Sequence, residues 1–360
     1  MNGAAMKPIR LPDRARILVV AMRRLGDVLL TTPLVRSLKR AFPQASIDAL
    51  VFAGTEGILA GNPDLAGVLT IPQRPRLAQT LALARRIARR YDLALSTQTG
   101  DRPTFLAAIA GRQSAGPIEP AGFAAGVKAF ALSRSFVSER GGHRVLEILR
   151  LADLLGIPAD AEIVCPAGDV RPATAVTQPY AVVHAAPMFT YKRWTLDGWR
   201  KLAAALRERG MATVVTGAAS DRAYLDDVWR DSEVIRRDGA LAWPELSALI
   251  AAARAYVGPD TAVTHLAAAS GVPTVALYGP TDPRLWGPWP RGGLDHPWAA
   301  GGTIQCRGNV WLVQNPLPCL PCQLEGCERR LDSHSQCLDE LSTAQVVSAV
   351  DQALAMRQAA

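Results

Sequence analysis

The sequence lacks any apolar run of the roughly 18–20 residues that a membrane-spanning helix needs. Its first residues, MNGAAMKPIRLPDRAR, also lack the apolar core of a secretory signal and are expected to form a loose leader. No G-x-G-x-x-G motif follows a predicted strand, which argues against a nicotinamide dehydrogenase. These absences predict a soluble cytoplasmic protein, in a compartment where structural disulfides are rare.

Lysine is scarce as well. Of the 40 cationic residues 35 are arginine, and the net charge is +8. The planar guanidinium suits phosphate and carboxylate groups, so an anionic partner is one reading; an arginine-rich codon bias on a solvated surface is the other. Hydrophobic residues make up 49% of the 360 positions, enough for two domain cores and too many for a disordered chain.

Short strand-like runs alternate with helical patterns in both halves, which is typical of parallel sheets with crossover helices. In the first half the predicted strands are RILVVA, IDALVF, GVLTIP and DLALST. The predicted helices there are Leu29–Ala41, Arg76–Arg90 and His143–Leu155. The proline-rich residues 156–179 show little periodicity and are predicted to link two domains.

The pattern then restarts with the strands YAVVH, ATVVTG, a weak strand near Val234, AYVG and PTVALYG, separated by helices that include Ala219–Arg230. A closing helix is predicted from Thr343 to Met356. We therefore expect an α/β protein with domains at 14–170 and 178–340 and a C-terminal helix at 343–357. Ligands of such domains bind at the carboxyl ends of the strands.

The first strand is followed by MRRLGDVLLTTP, which has a carboxylate where many α/β proteins have a glycine-rich phosphate loop. A carboxylate is a poor neighbour for phosphate, so this domain is not expected to hold a nucleotide. Asp27 is a candidate general base, and a helix N-cap is the alternative. Arg23 and Arg24 either steer an anionic acceptor toward Asp27 or simply face solvent.

The second half contains VGPDTAVTHLAAASGVPTVALYGPTDP. Asp260 and Thr261 lie where a strand turns into a helix, and Thr261 is a candidate N-cap. The N–H groups of the first turn and the helix dipole favour an anion there, with His265 one turn further on the same face. Gly279 and Thr281 follow the next strand at the same edge of the sheet. The two loops suit a diphosphate, and a capped helix with a satisfied histidine is the alternative.

A third loop, HAAPMFTYKRW, ends just before a predicted helix and brings Lys192 and Arg193 to the same edge. Either cation could reach a phosphate. A solvated surface pair is the alternative interpretation.

Three motifs in register, GDVLLTTPLVRSLKRAFP, KRW after HAAP, and GPDTAVTHLAAASGVPTVALYGPTDP, resemble glycosyltransferase family 9, the ADP-heptose:lipopolysaccharide heptosyltransferases. The resemblance covers about residues 16–353. It implies a GT-B architecture, two Rossmann-like domains facing a central cleft. It also implies inverting transfer of heptose from ADP-heptose to a lipopolysaccharide inner-core acceptor without a catalytic metal. No nucleic-acid partner is expected. The resemblance does imply peripheral contact with the inner membrane.

By position, the resemblance assigns Asp27 as general base and Lys192 to the donor phosphates. It assigns the stretch Asp260, Thr261, Ala262 and His265 to the heptose and diphosphate, and we add Gly279 and Thr281 to this donor-binding set. The acceptor-binding candidates are Arg23 and Arg24. The closing helix is expected to pack back on the N-terminal domain.

Many family members have an acidic residue after the glycine that ends the strand corresponding to ATVVTG, and this residue is thought to hold the ribose. Here Ala218 and Ala219 follow, and Asp221 is the nearest acid. A different nucleotide sugar, or a protein or other surface glycan as acceptor, is therefore the alternative function. A nucleotide-binding module without transferase activity is a third.

Four cysteines, Cys319, Cys322, Cys327 and Cys337, follow a C-x2-C-x4-C-x9-C spacing in a proline-rich region. This is typical of metal ligands, and we predict a structural zinc or iron on the four thiolates. Some family members with a four-cysteine metal finger look similar here. His334 could replace one ligand. Reduced free thiols and a redox disulfide are the alternatives.

Overall fold

A computed structural model of the protein describes residues 8–139, 141–171 and 176–359, the last three without their side chains. The chain divides into two compact units, Met1–Val164 and Cys165–Ala360. The boundary between them falls inside the proline-rich segment predicted as a linker, of which residues 172–175 lie outside the described part, as do residues 1–7 of the predicted leader. The predicted α/β class with two parallel-sheet domains is confirmed.

The first unit is built on a six-stranded parallel sheet in the order β3-β2-β1-β4-β5-β6. Its central strand β1 has a buried aliphatic run, because helices cover both faces of a parallel sheet. The strands are β1 (Arg16–Ala21), β2 (Ser46–Phe52), β3 (Gly67–Ile71), β4 (Tyr91–Ser96), β5 (Gly111–Ile118) and β6 (Arg134–Val137).

In the described part of this unit, five helices lie between these strands in sequence and a sixth follows β6: α1 (Leu25–Leu29), α2 (Thr32–Ala41), α3 (Leu77–Ile87), α4 (Asp101–Ala110), α5 (Phe123–Ala131) and, last, α6 (Arg144–Leu155). Helices α2 and α6 bury Leu38 and Leu151 in one apolar cluster with the sheet. Helices α3 and α4 bury Ile87 and Leu106 in a second cluster. Helix α5 packs beside α4.

The described residues of the second unit form a seven-stranded sheet in the order β12-β13-β11-β10-β7-β8-β9, parallel except for the pair β12–β13. The strands are β7 (Tyr180–His184), β8 (Ala212–Thr216), β9 (Ile235–Arg236), β10 (Ala255–Pro259), β11 (Thr274–Leu277), β12 (Ile304–Arg307) and β13 (Val310–Val313). Strands β7, β10 and β11 are neighbours, so their carboxyl ends lie side by side.

The helices of this unit are α7 (Leu196–Glu208), α8 (Arg222–Val228), α9 (Trp243–Ala252), α10 (Ala262–Ser270), α11 (Pro283–Trp286), α12 (Gln336–Asp339) and α13 (Thr343–Ala359). Helix α13 buries Val346, Ala349 and Val350 in the core of the second unit. Its expected packing on the N-terminal domain stays a prediction. Among the described residues, no helix combines the length and apolarity that crossing a membrane requires.

Two predicted helices are wrong in detail. Leu29–Ala41 is not one helix, because α1 ends at Leu29 and α2 begins at Thr32. Pro33 lies in the first turn of α2, where its missing N–H costs nothing, and in a continuous helix its ring would clash with the carbonyl of Leu29. Likewise, Ala219–Arg230 begins with a 3-10 turn and is α-helical only over Arg222–Val228.

Candidate functional site

Asp27 lies in the first turn of α1, directly after the buried end of β1. The N-cap position of this helix is Arg24, so the alternative reading of Asp27 as N-cap is wrong. Arg24 is exposed. The backbone of Arg24 is extended, with φ −71° and ψ 164°, and the helix begins at the next residue.

Two arginines approach the Asp27 carboxylate, whose side chain is only 11% exposed. Arg23 Nε lies 2.8 Å from Oδ1, and Arg144 Nε, at the start of α6, lies 3.8 Å from the same oxygen. Burial and the positive charge of Arg23 lower the pKa of Arg144 to about 10, against the opposing charges of Asp27 and Glu147. Arg144 Nη2 also donates to Thr97 O at 2.7 Å. Both guanidinium groups therefore lie on the same side of the carboxylate, at its Oδ1 atom.

The second unit brings together four side chains from three loops at the carboxyl ends of its central strands. The Asp260 carboxylate, 9% exposed, forms an ion pair with Lys192 Nζ. It accepts a hydrogen bond from Thr281 Oγ1 at 2.7 Å, and Tyr278 OH lies 3.4 Å from its other oxygen. Lys192, predicted from one motif, and Thr281, predicted from the motif that also contains Asp260, thus both contact the Asp260 carboxylate.

Asp260 is charged at neutral pH despite its burial. Desolvation alone would raise the pKa of its carboxyl group, but the charges of Lys192 and His265 and the hydrogen bonds from Lys192 and Thr281 outweigh it and lower that pKa. Buried carboxylates are tolerated only when paired in this way. The site therefore holds one fixed negative charge matched to the lysine.

Thr261 is confirmed as the N-cap of α10, since its Oγ1 accepts from Thr264 N at 3.3 Å. The N–H groups of Ala262 and Val263 are in the first turn, where no intrahelical acceptor exists for them. His265 is buried one turn further, with its backbone N–H bonded to Thr261 O at 3.3 Å. The helix N-terminus thus offers an anion-binding end beside the Lys192 ammonium.

Gly279 follows β11 and packs against the C-terminal part of the unit. A Cβ at this position would lie 2.8 Å from Leu338 Cδ1 and 3.3 Å from Cys337 Sγ. The position therefore requires glycine because of packing, which the sequence pattern did not indicate.

The side chains of Arg193 and Asp221 contact other residues than Asp260. The Arg193 guanidinium stacks 3.9 Å from the ring centre of Tyr224, whereas its neighbour Lys192 is drawn to Asp260. Asp221 Oδ2 accepts from the backbone N–H of Ala218 at 2.8 Å and so folds back on its own loop.

The four predicted metal ligands have different environments. Cys319 and Cys327 are exposed, Cys322 is partly exposed and Cys337 is buried, and none is in a disulfide. Burial and the neighbouring Cys322, Cys327 and Cys319 raise the pKa of the Cys337 thiol to about 12. Within the described ranges, no three His, Cys, Asp or Glu side chains are arranged to hold a metal ion. His334 Nδ1 is paired with Asp339 at 2.6 Å.

The segment from Cys319 to Cys337 is hydrogen-bonded to two loops of the site. Gln323 N donates to Pro280 O at 2.7 Å, next to Thr281, and Ser335 Oγ donates to Tyr191 O at 2.7 Å, next to Lys192. The segment therefore supports the backbone beside Thr281 and Lys192, two of the residues that contact Asp260.

Sequence reasoning missed Arg144 and Tyr278. Arg144 is far from Asp27 in the sequence, and no local sequence pattern indicates that the two side chains pair. Tyr278 belongs to the quoted motif PTVALYG, and its position at the end of a strand beside Gly279 was the available signal.

Residues 80–293 match the model of glycosyltransferase family 9 (heptosyltransferase). The chain is 28% identical over 308 residues to lipopolysaccharide heptosyltransferase 3 of Escherichia coli (strain K12), covering 74% of this chain and 83% of that protein. The residues that match the family model, 80–293, contain the contacts of Lys192 and Thr281 with Asp260, whereas Asp27 and the four cysteines lie outside them.

Two solved structures share the fold. One is the ADP-heptose LPS heptosyltransferase II of E. coli, with a TM-score of 0.72 and 19% identity over 95% of this chain and 99% of that one. The other is TibC, an iron-containing dodecameric glycosyltransferase from enterotoxigenic E. coli H10407. Its TM-score is 0.59 at 16% identity, covering 98% of this chain and 78% of that one.

Proposed function

The chain belongs to glycosyltransferase family 9, the heptosyltransferase family, and from this premise we propose that it transfers heptose from ADP-heptose to a lipopolysaccharide inner-core acceptor. The related E. coli protein is named for lipopolysaccharide and the solved structure for ADP-heptose, which supports both substrates. We propose that it works at the cytoplasmic side of the inner membrane.

The observation that carries the proposal is the contact of Lys192, Asp260 and Thr281 beside the N-terminus of α10. A departing nucleoside diphosphate develops negative charge, and a lysine together with helix N–H groups stabilises that charge without a metal ion. Asp260 holds Lys192 in position through their ion pair. Gly279 lets the β11 loop pack tightly behind Thr281.

In the proposed inverting reaction, Asp27 takes the proton of the acceptor hydroxyl as the acceptor oxygen bonds to the anomeric carbon. The bond from that carbon to the diphosphate breaks, and ADP leaves with the electron pair. Arg23 and Arg144 orient the Asp27 carboxylate through their contacts with Oδ1, and Arg24 is exposed where it can steer an anionic acceptor. A positioned base contributes about 10²–10⁴-fold to such a step.

A second candidate keeps the fold and the chemistry but changes a substrate: another nucleotide sugar, or a protein or other surface glycan as acceptor. The observation that favours it is Asp221, whose carboxylate is bonded to Ala218 N. A ribose would then need a different acid in this unit.

The test is incubation with ADP-heptose and a panel of truncated core acceptors, read by mass. A gain of one heptose on one acceptor supports the proposal, and turnover only with another donor or with a protein acceptor supports the second candidate. Asp27→Asn should lower kcat by about 10²–10⁴-fold while donor binding persists. Asp13→Asn, an exposed aspartate of the same unit, is the matched control. Turnover by Asp27→Asn close to that of the control would remove the general-base role.

We also propose that Cys319, Cys322, Cys327 and Cys337 hold a structural zinc or iron. The thiols of Cys319, Cys322 and Cys327 lie near enough to act electrostatically on Cys337, which supports this, as does the iron-containing TibC of the same fold. A metal there supplies only rigidity to the segment that braces the Lys192 and Thr281 loops.

Protein purified without added metal should contain one zinc or iron per chain. Cys322→Ser should lose the metal and lower both the Tm and the affinity for ADP, whereas Cys306→Ser should change neither. A stable, active protein without metal would contradict the proposal.

A further inference from the structure

Among the described residues, only the nitrogen of the Gln98 carboxamide is hydrogen-bonded. Gln98 follows β4, and β4 lies beside β1, so the carboxyl ends of the two strands are neighbours at one edge of the sheet. Gln98 Nε2 donates to Met22 O at 3.0 Å, which turns Oε1 away from that carbonyl. Oε1 is buried and accepts no hydrogen bond from the described part of the chain. A buried carbonyl oxygen is seldom left without a donor, so a donor from outside the chain is expected.

Two short series of contacts connect Gln98 to Asp27. Met22, which accepts from the Gln98 amide, directly precedes the arginine whose Nε lies 2.8 Å from Asp27 Oδ1. Thr97 precedes Gln98, and its carbonyl oxygen accepts from Arg144 Nη2 at 2.7 Å. Arg144 Nε in turn lies 3.8 Å from Asp27 Oδ1. The free amide oxygen and the candidate base therefore belong to one cluster at the carboxyl edge of the first sheet.

A buried lysine holds the other side of the loop that carries Gln98. Lys128 on α5 is 2% exposed, and its ammonium group donates to Thr99 O. The same ammonium group pairs with Asp101 and Glu119, which makes its burial tolerable. The carbonyl groups on both sides of Gln98 are thus bound by cations. The loop is fixed by these contacts, and Gln98 is presented in a defined place.

We propose that Gln98 binds the acceptor, its Oε1 accepting a hydrogen bond from the hydroxyl next to the one that Asp27 deprotonates. This inference rests on the proposed function. Sugars carry hydroxyl groups on adjacent carbons, so a base and a nearby amide oxygen can hold such a pair together. Gln98 is partly exposed, so a small movement of its side chain brings Oε1 to the hydroxyl. The residue determines specificity, because an acceptor without this hydroxyl leaves Oε1 unpaired.

The test uses the truncated core acceptor that gains a heptose, together with deoxy analogues that each lack one hydroxyl beside the glycosylated position. Wild type should use one of these analogues with a kcat/KM lower by about 5–10-fold, the effect of losing one hydrogen bond. Gln98→Met keeps the length of the side chain without its amide. It should use that analogue and the parent acceptor equally well, within about twofold, as a cycle of enzyme and acceptor changes measures. Its affinity for ADP should equal that of wild type.

Gln113→Met is the matched control. Gln113 is a partly exposed glutamine of the same unit, and its Nε2 also donates to a backbone oxygen, Arg10 O at 3.4 Å. It lies near the start of β5, away from the carboxyl ends of the strands. This variant should therefore discriminate between the acceptors as wild type does. Gln98→Leu, a second variant without an amide, should behave as Gln98→Met does.

The outcomes separate this inference from the proposed function. If the Gln98 variants lose activity but discriminate against the analogue as strongly as the control, Gln98 only fastens its loop and does not bind the acceptor. A wild type that uses every deoxy analogue as well as the parent also overturns the inference, and it needs no variant. In both cases the proposed function stands. A wild type that transfers heptose to no acceptor overturns the proposed function and this inference with it.

Discussion

Arg144 Nε lies 3.8 Å from Asp27 Oδ1, although the two residues belong to the last and first helices of their unit. The side chains of Arg144 and Asp27 are equally buried, and Arg144 Nη2 also donates a hydrogen bond to Thr97 O. The candidate base is thus held by a cation that the chain supplies from a distant element. Arg144 is a positioning residue, because it acts through Asp27.

Arg144→Gln should lower the free energy of unfolding by ~3 kcal/mol, since it leaves Asp27 with Arg23 alone in a mostly buried setting. It should also lower kcat and leave the KM for the donor unchanged. Urea unfolding and steady-state kinetics measure the two effects. Arg150→Gln on the same helix removes a more exposed pair with Glu147 and should cost less than about 1 kcal/mol. Equal losses in the two variants would contradict a special role for Arg144.

Lys192→Met should weaken ADP binding by about 10–100-fold, the effect of losing one charge-assisted hydrogen bond to a phosphate. It also leaves Asp260 buried without its main cation, so the pKa of that carboxyl group should rise. Asp260→Asn added to Lys192→Met should therefore restore part of the lost stability, as a double-mutant cycle measures. Lys201→Met, in an exposed pair with Asp197, is the control. Unchanged ADP affinity in Lys192→Met would remove Lys192 from the donor site.

His184 makes the stability depend on pH. It ends β7, is 7% exposed, and its Nδ1 lies 3.1 Å from Thr216 Oγ1. Burial lowers the pKa of His184 to about 4, against about 6.5 in an unfolded chain. Between these values the unfolded state binds more protons, so stability falls as the pH falls from about 6.5 to about 4, by about 3 kcal/mol in all.

Urea titrations at pH 7, 6, 5 and 4 measure this slope. His184→Asn should reduce it, whereas His296→Gln, which removes an exposed imidazole, should leave it unchanged. A slope unaffected by His184→Asn would assign the pH dependence to other groups.

The sequence predicted the elements whose signals are local. Strand β1 has a continuous aliphatic run, and Thr261 is a capping residue before an apolar helix, so both were predictable. Strand β5, GRQSAGPI, has glycines, a proline and one β-branched residue, and it was missed because its pairing with β4 and β6 overrides propensity. Strands β12 and β13 were also missed, because they lie in the tryptophan-, proline- and cysteine-rich stretch after Gly279, for which no strand was predicted.

The candidate site likewise contains contacts that could be predicted from the sequence and one pair that could not. Lys192, Asp260 and Thr281 were each placed at a strand end, and parallel strands bring such ends to one edge of a sheet. Their direct contact follows from that geometry. The Asp27–Arg144 pair follows only from the three-dimensional packing of α6, which no spacing in the sequence encodes.

Position 279 requires glycine because of the packing around it. A methyl group there would lie 2.8 Å from both Cγ and Cδ1 of Leu338, which is buried and cannot move aside without disturbing Cys337. Gly279→Ala should therefore lower the free energy of unfolding by about 1–3 kcal/mol and weaken ADP binding through the shifted Thr281 loop. Gly301→Ala, where a Cβ meets nothing within 4 Å, should do neither. Leu338→Ala makes room for the added methyl group, so the double variant should lose less stability than the two single losses combined; strict additivity would show that the clash is not the cause.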